Sequence, residues 1–395
     1  MPVGLPRTFL LGLAALLGAA LISFAEGLDD HGGQDPGVTP LDGRSDVSQG
    51  SREAMPEGDP FGDRLAVRAA IERGLDFLAA RQRDEQDGSF PPTQATKHAP
   101  VAVTALAALA FMSTGSSQRR GPREKELARA IDFLLAQVDR APDSKRRGYI
   151  FAGRDEVSRT HGHGFATLAL AQAHGNSPGS SRGAQIAEAL TLAVACIESS
   201  QGLEGGWFYD PVAGLEHEGS VTIAMVQALR AAKNVGVRVN PAVIAKAVDY
   251  VERSQKEDGS FRYSLGSEIT SVALTAAALS TLHATGKYHG SSIVQAYDYI
   301  QRKLRSRELP GERGILDSEG PHFPYYERLY LAQAFWQNPD QGVFRTWAKG
   351  ERREILKHQG EDGSWGNSPY GDCYATAVNV LVLALPDQLL PIFQR

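Results

Sequence analysis

QGEDGSW at 359–365 and QKEDGSF at 255–261 are two copies of one short turn. QGLEGGWF at 201–208 and QRDEQDGSF at 82–90 are two more, the last carrying an insertion. Each lies between a polar-faced helix pattern and a strongly apolar one. The aromatics that close the turns are Phe90, Trp207, Phe261 and Trp365, and the first and last intervals are each close to twice the middle one. Degenerate copies fill those gaps: RRGYIF around Tyr149 and ERGIL around Ile315. Six units of about 50–60 residues therefore run from near residue 65 to the end, and self-similarity at a fixed period outranks other fold evidence.

Residues 241–254 place Ile244, Val248 and Val251 on one face, with Lys246, Asp249 and Glu252 between them. That is an amphipathic helix with one face in water. Val67, Ile71, Leu75 and Leu78 repeat the pattern, as do Leu127, Ile131, Leu134 and Val138. The helix after each turn differs: 101–111, 165–171, 270–282 and 376–385 are apolar nearly all round and must be covered on every side. An inner ring of apolar helices wrapped by amphipathic ones meets both demands. The predicted fold is an all-α (α/α)6 toroid over 64–395, with helix pairs near 64–115, 123–175, 184–235, 240–286, 290–337 and 343–386.

The turn has a physical logic. Gly259 and Gly363 supply the positive φ of a sharp reversal, and Asp87, Asp258 and Asp362 accept backbone N–H groups as in Asx turns. Gln82, Gln201, Gln255 and Gln359 are placed to tie one outer helix to the next unit, and Phe90, Trp207, Phe261 and Trp365 to pack against the neighbouring repeat. The role read here is a clasp, not catalysis.

Ahead of the repeats, Arg7 precedes an apolar run from Phe9 to Phe24, and Ser23-Phe24-Ala25 offers small residues where a signal peptidase reads. Residues 1–25 are read as a secretory signal and 26–63, rich in Gly, Asp, Pro and Ser, as a disordered tether. The expected location is periplasmic or secreted, with no membrane span left once the signal is cleaved. A net charge of −5 gives no electrostatic footprint for nucleic acid. Cys196 and Cys373 fall in units on opposite sides of a six-fold ring, too far apart to bridge, and are expected to be free thiols.

At its turns the chain resembles the repeat of squalene–hopene cyclases and protein prenyltransferase β subunits, which share a Q-x-x-D-G-S-W pattern. The resemblance covers all six units and implies the toroid. The segments 161–175, 325–336 and 372–385 also resemble bacterial exported proteins defined by this repeat, from which no reaction carries over. The family's chemistry does not transfer residue by residue. There is no D-x-D-D, the proton-donating cluster of the cyclases; the adjacent aspartates Asp29 and Asp30 lie in the tether. The prenyltransferase zinc set needs D-x-C and a distant His, whereas Asp372 and Cys373 are adjacent and Ala375 stands where the His would fall. The G-C-G-E-Q of thioester toroids is also absent. No cofactor and no metal site are predicted.

Inner helices that start at one end of the ring gather a candidate cavity mouth: His98, His161, His163, Glu216, His217, Glu218, Glu268, Tyr325, Tyr326, Glu327, Asp372 and Tyr374. Acids at that position also cap helices, and two His residues two apart point to different faces. Arg154, Arg159, Arg262 and Arg328 are too scattered to form a diphosphate clamp. Trp207, Phe208, Tyr209 and Tyr263 follow the turns and either line a groove or pack. Three readings stay open. The favoured one is an exported, non-catalytic toroid whose cavity binds an apolar, isoprenoid-type molecule or an envelope protein. A second is an isoprenoid cyclase or transferase with a relocated acid, Asp372 or Glu327, assisted by Tyr326. A third is a carbohydrate-active enzyme with Glu216 or Glu218 opposite Glu268.

Overall fold

The computed structural model describes residues 64–153, 156–176, 179–308 and 323–393, all within one compact unit, Glu57–Arg395. The signal and tether read at 1–63, Arg154 and the degenerate turn around Ile315 lie outside the described residues. Among those described there are twelve α-helices and no strand: α1 (Arg64–Gln82), α2 (Pro100–Met112), α3 (Glu124–Ala136), α4 (Arg159–Gly175), α5 (Ser181–Ser199), α6 (Gly219–Asn234), α7 (Pro241–Arg253), α8 (Val272–Ala284), α9 (Ser291–Glu308), α10 (Pro324–Gln337), α11 (Gln341–Lys357) and α12 (Asp372–Ala384). None is long and apolar enough to cross a membrane.

Local chemistry sets the helix starts. Asn240 caps α7 by accepting the Ala242 amide, with Pro241 at the first helical position where its missing N–H costs nothing. Ser180, Ser271 and Asp340 cap α5, α8 and α11 in the same way. The even-numbered helices each touch the next, α2 to α4, α6, α8, α10 and α12, and α12 returns to α2. The ring is closed. The odd-numbered helices lie outside it: α3 packs on α2 and α4, α5 on α4 and α6, α7 on α6 and α8, and α1 on α12 and α2. α2 is buried along its whole length, whereas α7 buries Val243, Ala247, Val248, Tyr250 and Val251 and shows its other face to solvent. The fold is the all-α toroid.

The turns lock each unit to the next. Gln255 Nε2 donates to Gly259 O in its own turn at 3.3 Å and to Ser292 O of α9 at 2.9 Å. Gln82, Gln201 and Gln359 make the same pair of bonds, reaching Glu126, Val243 and Ala70. Asp258 Oδ1 accepts the Ser260 amide at 3.0 Å, and Asp87 and Asp362 accept those of Ser89 and Ser364. Phe90, Trp207, Phe261 and Trp365 are all buried. Cys196 and Cys373 are buried free thiols.

Two features shape the bore. Gln227 of α6 donates to Gln333 Oε1 of α10 at 2.9 Å and to Ser280 Oγ of α8 at 3.1 Å, and Ser280 donates to Gln333 at 3.0 Å. These bonds cross the ring at mid-height. Beyond α12 the chain turns through Leu385–Asp387 and Pro391–Phe393, and the second of these short 3₁₀ turns touches α6. Ser113, Trp336, Leu381, Leu390 and Phe393 line one small void there, and Leu390, Ile392 and Phe393 are buried. The tail therefore spans the ring at the C-terminal ends of the inner helices.

Candidate functional site

Which face of each inner helix looks into the bore follows from its contacts. Trp207 N donates to Thr222 Oγ1 of α6, Phe261 N to Thr275 Oγ1 of α8, and Trp365 N to Thr376 Oγ1 of α12. These threonines face the turns. The residue two before each is rotated by about 200° on a helix of 3.6 residues per turn and faces the bore. That register continues down α6 through Ser220 and Gln227, down α8 through Ala273 and Ser280, and down α10 through Tyr326, Tyr330 and Gln333, all meeting across the ring at the glutamine layer.

Near the N-terminal ends, His161, Phe165, Ser220, Ala273, Tyr326 and Tyr374 keep part of their surface exposed. Two turns lower, Leu168, Gln227, Ser280, Gln333 and Leu381 are closed off, none more than 4% exposed. The bore-facing side chains thus keep some exposed surface above the glutamine layer and none to speak of below it, and the wall above is largely aromatic. The Tyr209 and Tyr263 hydroxyls are 2.6 Å apart, the His161 and Tyr209 rings 5.9 Å, and Tyr374 packs on Tyr325 at 6.1 Å and on Tyr370 at 5.3 Å. Phe208 meets Tyr209 edge-on at 4.8 Å.

A carboxyl–hydroxyl–imidazole chain stands in this wall. Ser220 Oγ lies 2.6 Å from Glu218 Oε2 and 2.8 Å from His161 Nε2. Glu218 caps α6, accepting the Ser220 and Val221 amides at 2.9 and 2.8 Å, and has no exposed surface. Burial raises its carboxyl to about 7, against those stabilising bonds, while burial lowers the His161 imidazole to about 4. Folded Glu218 holds its proton more tightly than the unfolded chain does. Its contribution is therefore full below about pH 4.5 and is lost as pH rises towards 7. Glu218→Gln gives up one accepted amide, since its NH2 cannot take the Val221 N–H, and is expected to fall about 1 kcal/mol below the parent protein at pH 4.5 and to exceed it at pH 8 by on the order of 2 kcal/mol. Urea unfolding of both proteins at the two pH values checks this; equal differences at both would refute it.

The other residues read from the sequence are placed elsewhere. Asp372 lies four positions before Thr376, on the turn-facing side; burial raises its carboxyl, and its charged neighbour is Arg81 at the end of α1. Glu327 pairs with Arg307 of α9 at 2.5 Å. Neither acid reaches the bore, so neither is set to protonate a ligand there; Tyr326 alone of that trio lines it. His163 takes the place of the threonines: its Nδ1 accepts the Ile150 amide at 3.1 Å, burial lowers it to about 4, and it faces the turn. His217 Nδ1 meets Tyr250 OH of the outer helix α7 at 3.0 Å. His98 is exposed. Glu216 is also exposed, Glu218 is enclosed, and Glu268 projects into solvent beside Lys256, 2.5 Å away. Arg159 pairs with Asp210, Arg262 lies 3.8 Å from Glu268, and Arg328 is held by Glu351 and Asn379. Among the described residues no group of three or more His, Cys, Asp or Glu could hold a metal.

Sequence reasoning missed Ser220, Phe165 and the glutamine layer. It also missed Glu156, a buried carboxylate between α2 and α4 that accepts the Val101 amide at 2.8 Å and the Ser158 amide at 3.0 Å. The signal for Ser220 was present: it precedes Thr222 by the spacing that separates His161 from His163.

No family model matches the sequence, and no curated protein matches it. Solved structures do. The chain is similar to a cellobiose 2-epimerase from Bacillus thermoamylovorans, with 12% identity, 80% of this chain and 98% of that one covered, and a TM-score of 0.58. It is similar to a D-mannose isomerase, with 13% identity, 85% and 100% covered, and a TM-score of 0.57. It is also similar to a variant of the type II terpene cyclase MstE from Scytonema in complex with its substrate, geranylgeranyl dihydroxybenzoate, with 18% identity, 83% and 98% covered, and a TM-score of 0.51. At such identities the likeness is one of fold.

Proposed function

We propose that the protein seats an apolar, isoprenoid-type molecule in the upper bore, entering between the N-terminal ends of the inner helices. One observation carries this reading. The bore-facing positions are partly exposed and largely aromatic above the glutamine layer and closed below it. Small-molecule sites are concave, mostly apolar, and carry few polar groups, and this wall has that composition. Its fold is shared with sugar enzymes and with a terpene cyclase that binds geranylgeranyl dihydroxybenzoate. The aromatic lining, and acids that point away from the bore, favour the second kind of ligand. With a secretory signal read at 1–25, the ligand pool is that of the cell envelope.

Native mass spectrometry of the purified protein, with solvent extraction and identification of any released lipid, tests the reading. A co-purifying isoprenoid supports it. Ala273→Trp, which puts a large ring in place of a methyl group on the bore wall of α8, is expected to remove that mass or weaken binding of farnesyl-chain probes at least tenfold while the protein stays folded. Unchanged binding in folded Ala273→Trp would place the ligand somewhere else.

A further inference from the structure

We propose that Glu218, Ser220 and His161 form a proton relay ending at His161 Nδ1, and that this atom receives the single oxygen function of the apolar ligand. The proposal rests on the upper bore being a binding site and adds what part of the ligand is recognised there.

Ser220 has one hydroxyl proton and lies within hydrogen-bond distance of a buried carboxyl and an imidazole nitrogen, with the Tyr326 hydroxyl near it. When Glu218 is ionised, Ser220 donates to Glu218 Oε2, and His161 Nε2–H donates to Ser220 Oγ. The neutral ring then carries its only proton on Nε2, and Nδ1 is a bare acceptor. When Glu218 is protonated, its hydroxyl donates to Ser220, Ser220 donates to Nε2, and the ring proton sits on Nδ1. One proton gained at Glu218 therefore turns Nδ1 from acceptor to donor without the ring becoming charged.

Nδ1 is the exit of this chain. It makes no hydrogen bond to any described residue, yet it is not among the enclosed, partnerless polar atoms, so it keeps some exposed surface on the bore-facing side of α4. The Tyr326 hydroxyl is enclosed and lies near Ser220 and Tyr330. Besides Ser220 and His161, the described titratable groups that interact with Glu218 are phenols: Tyr209 from the turn after α5, Tyr250 from α7, Tyr263 from the loop after it, and Tyr326 and Tyr330 from α10. Burial raises each of them, so they stay neutral, and no cation among the described residues holds the carboxyl ionised. Glu218 is free to titrate near neutrality, where His161 is not.

The ligand class follows. Below the Glu218 transition, Nδ1–H donates to a carbonyl oxygen; above it, the bare nitrogen faces that oxygen lone pair to lone pair. A ketone on an isoprenoid chain is thus taken best in acid. The probes are geranylacetone, which carries one ketone, and β-farnesene, a hydrocarbon of similar size. Binding is measured at pH 6 and pH 8 with the parent protein and Glu218→Gln, whose amide N–H replaces the protonated acid at every pH. For geranylacetone the parent is expected to lose about three- to tenfold in affinity between pH 6 and pH 8, the worth of one hydrogen bond. Glu218→Gln is expected to hold the tighter value throughout, and β-farnesene to bind equally at both. In parallel, the 15N shifts of His161 are expected to show Nδ1 gaining its proton as pH falls through about 7 in the parent, and carrying it throughout in Glu218→Gln. A His161 ring that keeps one tautomer from pH 5.5 to 8.5, or ketone affinity that tracks the hydrocarbon at both pH values, overturns the relay and leaves the apolar site standing. Failure of both probes to bind at any pH overturns both.

Discussion

Gly259→Ala is expected to destabilise the ring by about 3–5 kcal/mol, far more than an ordinary turn substitution. Two costs add. Gly259 has φ +90°, a conformation L side chains rarely adopt, and strain of that kind is worth roughly 1–2 kcal/mol. A Cβ there would also stand 2.1 Å from the Gln295 carbonyl oxygen and 2.5 Å from its carbon, both backbone atoms of α9. The helix would have to retreat, and with it the Gln255 bond to Ser292. Gly286 separates the two costs, since it too has φ +90° but has nothing within 4 Å of its would-be Cβ. Gly286→Ala is expected to cost only the strain, about 1–2 kcal/mol. Urea midpoints of the two variants decide the point: equal losses would mean that the approach of the turn to the next helix is not what holds neighbouring units together.

Trp365→Ala is the second large effect, expected at about 3–5 kcal/mol, in the range of burying and then deleting a large aromatic. Trp365 is 2% exposed and donates from Nε1 to Ile355 O at 2.8 Å. Its ring also meets α1: a Cβ on Gly74 would lie 3.0 Å from it. This is where the last unit joins the first, reinforced by Gln359 Nε2 donating to Ala70 O at 2.9 Å. Trp207→Ala removes a matching bond to Ile197 O within the chain's interior units. The seam differs because no continuous chain backs it up. Trp365→Ala is therefore expected to lower the urea m-value as well as the midpoint, since α1 can detach before the rest, whereas Trp207→Ala shifts the midpoint alone. An unchanged m-value together with a midpoint loss below about 1 kcal/mol would show that the seam is not held by this residue.

The ring was legible because its evidence is redundant: four good turns, amphipathic outer helices and apolar inner ones all require one architecture. The site was not legible, for reasons that can be traced to particular residues. Asp372 and Glu327 stand at helix starts, where position along the sequence is clear but rotation is not, and a shift of two residues carries a side chain from bore to turn. His161 and His163 show the difference within one pair. Rotation becomes readable only when the threonine that takes the turn's N–H is known, and that contact lies across a loop of variable length. Ser220 was hidden by its bland chemistry; its importance comes from Glu218 and from His161 on a different helix. Glu218 itself was read as a mouth acid and proves to be wholly enclosed.

The tail that runs from Leu385 to Phe393 beneath the inner helices makes the well blind-ended. Whatever goes in must come out by the same door, and in reverse order. The floor also acts as a ruler. Seven residues separate Ser220 from Gln227, about 10 Å of helix, so on the proposed function a short chain would be swallowed whole while a long one would leave its far end outside.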